Sequence, residues 1–281
     1  MRTMGGTVLL ALMMALTTVY GTKTTLAGEH HPHKEEQVEV LWSWAADDAG
    51  NEHRLYAKKN MTLLLQLRQA DHSPITGFDV QHEKMMHMIV LSKDLSYFNH
   101  IHPQYVGDGR FEVSTAFPGG GDYKLFADFV PSGGAAVTAT TEVHVKGDSD
   151  RAEGEAGPGE TPLQKLTPDK QLAKTVGGLK VELAWEAQHA GDEAQLVFKF
   201  TDARTQQPID HLQPYLGAVG HVVILSADAE QYLHVHAMND QLENATATFM
   251  TVFPEQGMYK LWGQFQYNNQ VITVPFVIQI K

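Results

Sequence analysis

The sequence predicts an all-β protein made of two tandem antiparallel β-sandwich domains, and three observations predict it. The apolar runs are short, carry β-branched and aromatic residues, and are punctuated by Gly, Pro, Asp and Ser. No long stretch carries the 3.6-residue period of an amphipathic helix. The chain also repeats itself. Pro74, Ile75, His87, Ser92, Asp94, His100 and His102 fall on Pro208, Ile209, His221, Ser226, Asp228, His234 and His236 at one constant offset of 134. At an offset of 136, Phe117, Pro118, Gly121, Tyr123 and Leu125 then fall on Phe253, Pro254, Gly257, Tyr259 and Leu261. Chance does not preserve such an order. About seven strands in about 105 residues per copy fit a sandwich of immunoglobulin-like type, with a small barrel as the alternative.

In chain order, residues 1–27 read as an export signal. Arg2 gives a positive start, Thr7 to Val19 is apolar, and Thr25, Leu26 and Ala27 offer small residues for cleavage. That apolar stretch, about 13 residues, is short for a bilayer span, and no later one is longer, so the mature chain is expected to have no membrane span. Residues 28–37 form a His-containing tail. Residues 38–146 are the first domain, with strands expected at Thr62–Leu67, Met88–Leu91, Phe111–Ala116, Tyr123–Val130 and Val137–Val145. Residues 147–174 are an acidic, Gly- and Pro-rich linker, with one helical turn expected between Leu163 and Lys174. Residues 175–281 are the second domain.

Composition narrows the chemistry. The formal net charge is −12. Loss of residues 1–27 removes Arg2 and Lys23 from 21 basic side chains and none from 33 acids, leaving 19 against 33. Such a surface suits cations and disfavours nucleic acid as a partner. Cysteine is absent, which removes disulfides, thiolate metal sites, cysteine nucleophiles and the His₂Cys centre of blue copper proteins. The expected location is secreted or extracytoplasmic.

The histidines concentrate in two hairpins. Strands Met86–Ser92 and Tyr97–Pro103 join through a polar turn of even length. That register sets His87 opposite His102 and Ile89 opposite His100, and puts all three imidazoles on one face. His221, His234 and His236 repeat the spacing. Each hairpin is therefore expected to offer its own three-histidine metal patch. The competing reading is a structural network of imidazoles with Tyr97 or Tyr232, and a lone histidine such as His144 is read as one that simply hydrogen-bonds a backbone carbonyl. The first copy adds His82 and the thioethers of Met85 and Met86 as auxiliary ligands, where the second has Leu216, Gly220 and a nearby Met238; Met88 is expected in the core. Imidazole with thioether favours copper, with zinc as the alternative, and favours tighter Cu(I) binding in the first copy. His82, Glu83 and His87 resemble the zinc-protease HExxH, but the histidines stand five apart in a strand, which rules that motif out. Cleavage after Ala27 would make His30 the third residue, where amine, two amides and imidazole form a square plane for Cu(II).

The segment from Met86 to Phe129, with its MHMIVLSKDLSYFNHIHP hairpin, then FP, then GDYKLFADF, resembles the YtkA-like domains of exported bacterial proteins. GHVVILSADAEQYLHVHA resembles the companion repeat of two-domain members. The resemblance implies an immunoglobulin-like β fold outside the cytoplasm with a link to heavy metals and carries over no settled biochemical activity; the chain is expected to bind its ion without catalysis, not as an enzyme. The function expected from these observations is copper buffering or delivery, with a donor or acceptor protein at the membrane as partner. The alternatives are a non-catalytic surface or scaffold module with structural histidines, and a zinc hydratase or hydrolase using Glu83.

Overall fold

The computed structural model describes residues 38–45, 54–147, 166–186, 189–239 and 241–281. The described residues are all-β. The first half holds β1 (Glu39–Trp44), β2 (Leu55–Tyr56), β3 (Met61–Arg68), β4 (Phe78–Asp79), β5 (Met86–Ser92), β6 (Phe98–Ile101), β7 (Gln104–Gly107), β8 (Arg110–Thr115), β9 (Gly121–Pro131) and β10 (Val137–Lys146). The second holds β11 (Ala173–Val176), β12 (Leu179–Glu186), β13 (Glu193–Asp202), β14 (His221–Ser226), β15 (Tyr232–His236), β16 (Thr246–Val252), β17 (Gly257–Tyr267) and β18 (Gln270–Ile280). Where the sequence suggested a helical turn, Lys174 lies in strand β11, and residues 163–165 fall outside the described residues. No described helix is long and apolar enough to cross a membrane.

Each half is an immunoglobulin-like sandwich. In the first, sheet β1-β3-β8-β7 faces sheet β2-β10-β9-β5-β6; in the second, β11-β12-β13-β16 faces β15-β14-β17-β18. Strands β3 and β13 alternate buried with less buried residues, as one-sided strands do. Strand β5 does not: all seven of its residues are buried. Its even-numbered Met86, Met88 and Val90 enter the first half's core, and its odd-numbered Ile89 and Leu91 enter a third apolar cluster. That third cluster joins the halves. It combines Ile89, Leu91, Leu95 and Phe126 with Val223, Leu225, Ala229 and Trp262.

The join is made twice, by equivalent residues. Phe98 stacks on Trp262 with ring centroids 5.1 Å apart, and Tyr232, the counterpart of Phe98, stacks on Phe126 at 4.3 Å. Lys124 Nζ donates to the carbonyl of Ala229 at 2.8 Å, and Lys260 Nζ donates to that of Leu95 at 2.7 Å. Leu95 and Ala229 both have φ of 58°, a left-handed turn conformation that β-bearing residues adopt at a cost. The turns are fixed locally by Asp94 and Asp228, which accept from the Ser92 and Ser226 hydroxyls. The two His-rich hairpins are thus pressed together in pseudo-twofold fashion.

Gly220 shows how tightly the second hairpin sits. A β-carbon there would lie 2.5 Å from Phe265 Cδ1 and 2.7 Å from the carbonyl oxygen of Gln264. Gly220→Ala is expected to cost about 1–3 kcal/mol, since neither a packed ring nor a strand carbonyl can retreat cheaply. Urea unfolding checks this, and an unchanged midpoint would contradict it.

Candidate metal centre

The even loop delivers the expected register. His221 pairs with His236 and Val223 with His234, while Ile89 pairs with His100 and Met88 with Ile101. The histidines of each hairpin therefore share the face turned toward the other half. The outcome differs from two separate patches. His82, His87, His100, His102, His221, His234 and His236 form one cluster, in which His87 lies 6.0 Å from His221 and 5.5 Å from His234 between ring centroids. His82 stacks on His236 of the other half at 3.9 Å.

Among the described residues, two sets of nitrogens come close enough to hold an ion. In one set His87, His100 and His234 offer ligand atoms within 4.8 Å of one another; in the other His221, His234 and His236 do. The second set is the expected patch of the second hairpin. The first replaces His102 with a histidine from the other half. Strand β6 ends at Ile101, so no ladder pairing holds His102, although its ring stays 4.6 Å from His100.

Partners fix which nitrogen of each ring is free. His87 Nε2 lies 2.9 Å from the Gln81 carbonyl, and His221 Nε2 lies 3.1 Å from that of Tyr215. A carbonyl only accepts, so both rings donate there and keep Nδ1 as a lone pair. His100 Nδ1 faces Gln264 Oε1 at 2.7 Å and His234 Nδ1 faces Asp128 Oδ2 at 3.0 Å. Both rings donate there and keep Nε2 bare. The consequence is plain at the centre: His87 Nδ1 and His100 Nε2 face each other at 3.1 Å, two lone pairs with no hydrogen between them. In addition, His102 Nε2, His221 Nδ1, His234 Nε2 and His236 Nε2 are buried without any hydrogen-bond partner. Buried polar atoms are rarely left so. A cluster of inward lone pairs suits a cation.

Asp128 supports the same chemistry. It accepts from Tyr232 Oη at 2.5 Å, Thr138 Oγ1 at 2.7 Å and His234 Nδ1. Burial pushes its carboxyl up, but the His234, Tyr232 and Thr138 donors outweigh this and hold it below its ordinary value. A carboxylate behind an imidazole orients the ring and raises its basicity toward a metal. The equivalent position in the second half is Gln264. The signal for both was in the sequence: a polar residue inside the apolar runs LFADFV and LWGQFQ.

Burial also disfavours protonation of His87, His100, His102, His221 and His236. It is the largest cause holding His87 down to about 4, His102 and His236 to about 3 and His221 to about 2, and it lowers His100 as well. An unfolded imidazole titrates near 6.5. Between these values the unfolded chain binds more protons, so acid favours unfolding. Stability of chelator-stripped protein should therefore fall as pH drops below about 6.5 and keep falling toward about 3, with these groups contributing no slope above about 7.5. Urea midpoints across that range check it, and a midpoint level from about 7 to 4.5 would contradict it.

Several expected ligands are not at the centre. Met86 is fully buried in the first half's core: strand alternation turns it away from His87, as it does Met88. Met85 and Met238 are exposed, at 38% and 61%. The soft-ligand argument for tighter Cu(I) binding in the first copy loses Met86 from its donors. His144, expected to hydrogen-bond a backbone carbonyl, instead pairs at the surface with the Asp122 carboxylate at 2.7 Å. Glu83 is exposed, with Cγ 3.5 Å from where a Gly217 β-carbon would stand. His30 and the proposed signal segment fall outside the described residues.

The family model described as "Domain of unknown function (DUF8832)" matches residues 46–147 and 174–281. No curated protein matches the chain. Among solved structures, the S-layer protein rSbsC(31-844) is 15% identical over 86% of this chain with a TM-score of 0.24, and this chain covers 28% of it. The D00-D0 domain of Intimin is 9% identical, with 85% of this chain and 99% of that one covered and a TM-score of 0.23. A two-domain fibronectin type-III segment of chicken tenascin is 9% identical, with 87% and 98% covered and a TM-score of 0.22. At such TM-scores none of these likenesses bears on function.

Proposed function

The chain belongs to the DUF8832 family, and we propose that it is an extracytoplasmic metal-binding protein that holds one transition-metal ion between its two halves. The observation that carries this reading is the 3.1 Å approach of two bare ring nitrogens, His87 Nδ1 and His100 Nε2, beside the unpartnered Nε2 of His234. Neutral imidazole suits copper and zinc alike. With Met86 turned into the core, copper is favoured as Cu(II), which binds nitrogen sites more tightly than the other divalent first-row ions, and zinc is the alternative. The YtkA-like pattern of the first hairpin, with its link to heavy metals, supports the same reading. Buffering, or delivery to an acceptor protein at the membrane, is the role that fits a site without catalytic machinery. Asp128 is committed to three donors and Glu83 is exposed, so neither serves as a general base.

The competing reading is a scaffold module glued by histidines. It requires the Gln264 amide to be reversed, donating to His100 Nδ1, so that His100 in turn donates to His87. That reversal satisfies one contact and leaves the unpartnered nitrogens of His102, His221, His234 and His236 unsatisfied. Metal analysis of protein purified without a His-tag separates the two. About one ion per chain, with a thermal shift on re-addition of Cu(II) or Zn(II) after stripping, is expected; no ion and no shift would refute metal binding. Asp128→Asn is expected to weaken binding about 10–100-fold while the fold persists, because asparagine still accepts from His234 but carries no charge. A chelator competition assay measures this, and an unchanged affinity would contradict a supporting role for the carboxylate.

A further inference from the structure

We infer that the two sets of nitrogens are successive positions of one ion, which passes between a part-exposed outer position and a buried inner one while staying bound to His234. This rests on the metal-binding reading above and adds the route. The outer position is His221, His234 and His236; the inner is His87, His100 and His234. His234 is common to both, and its Nδ1 is held by Asp128. Only Nε2 remains, and one lone pair serves one ion at a time. The two positions therefore cannot be filled together, although each has its own three donors. They also differ in access. His87, His100 and His221 are all buried, so the difference rests on one ring: His236 is part-exposed at the edge of the cluster, and beyond it Met238 is 61% exposed.

Such an overlap solves a physical problem. A divalent ion entering a buried cage must shed its water, and a bare ion in a low-dielectric interior is very unfavourable. If the ion is first caught by the part-exposed His236 and then by His221 and His234, it exchanges two nitrogens for two others on its way inward and is never without ligands. His82, stacked on His236 at 3.9 Å, lies over the outer position. The pseudo-twofold symmetry is broken where the route needs it. Asp128 stands behind the shared His234, whereas the neutral Gln264 stands behind His100.

The test uses the full chain with Cu(II) as probe. Stoichiometry comes from titration, and loading and chelator-driven removal are followed by stopped-flow absorbance. Wild-type protein should bind one Cu(II). His236→Ala leaves the inner position whole, so its equilibrium affinity should change by only a few-fold while loading and removal both slow by ten-fold or more. His87→Ala leaves the outer position whole, so Cu(II) should still bind, more weakly, and leave faster than from wild type. Circular dichroism and thermal melts establish that each variant is folded; the part-exposed His236 makes its variant the safer of the two, and His236→Gln provides a second at the same position. Two Cu(II) ions bound at once would overturn the shared route. So would a His236→Ala protein whose affinity collapses with rates unchanged. A wild-type protein that binds no ion would overturn the metal-binding reading itself.

Discussion

Replacing His234 with alanine is expected to abolish tight ion binding, the largest functional effect of any single substitution in the chain. His234 belongs to both nitrogen sets, so its loss leaves only the pairs His87 with His100 and His221 with His236. The loss of affinity should exceed the roughly 100-fold upper range seen when only a supporting partner of a ligand is removed. Alanine also strips the buried Asp128 of one of its donors, which costs about 1–3 kcal/mol, more if the carboxylate stays charged. His234→Gln separates the two effects, because its amide N–H can still donate to Asp128 while the imidazole is gone. Both variants should lose tight ion binding, and the glutamine variant should keep more of the stability. Competition with a chromophoric chelator and urea unfolding measure the two quantities. Retention of wild-type affinity by either variant would contradict the shared role.

Trp262→Ala is expected to be the most damaging change at the contact between the halves. Trp262 is 4% exposed in the joining cluster, lies against Phe98 with planes 15° apart, and has Lys260 Nζ 5.3 Å from its ring. Truncation of a buried tryptophan costs about 3–5 kcal/mol. Since this cluster also presses one hairpin against the other, ion affinity should fall with stability. Conversely, adding metal to the wild-type protein should raise its melting temperature, because an ion that binds only the closed pair of hairpins stabilises it by mass action. A Trp262→Ala protein with lowered stability and undiminished affinity would show that the ion does not depend on contact between the halves.

The fold class and the hairpin register were legible in the sequence because both depend on local chemistry. Short β-branched runs, turn residues such as Asp94 and Asp228, and an even loop suffice to place His87, His100 and their counterparts on one face. What the hairpins face was not legible, since that depends on the packing of one half on the other. Treating each copy alone gave two patches where one cluster exists, and it placed Met86 beside His87 when alternation sends it into the core. Three clues pointed the other way. The run Met88 to Leu91 is apolar on both faces, as a strand covered on both sides must be. Lys124 and Asp128 interrupt the apolar strand after it, and Lys260 and Gln264 stand at the equivalent positions of the second copy. Polar residues repeated at equivalent points of a buried strand ask for partners, and the partners are in the other half.

The most direct test is X-ray absorption on the metal-loaded full chain, with one histidine substituted in each half in turn. A first shell of three or more nitrogens near about 2.0–2.1 Å, with imidazole scattering and no sulfur near about 2.3 Å, is the result expected for the wild type. At metal concentrations high enough to load the weakened variants, both His100→Ala and His234→Gln should change that shell, because the ligands come from both halves. A shell altered by substitutions in one half only, or one containing sulfur, would contradict an ion held between them.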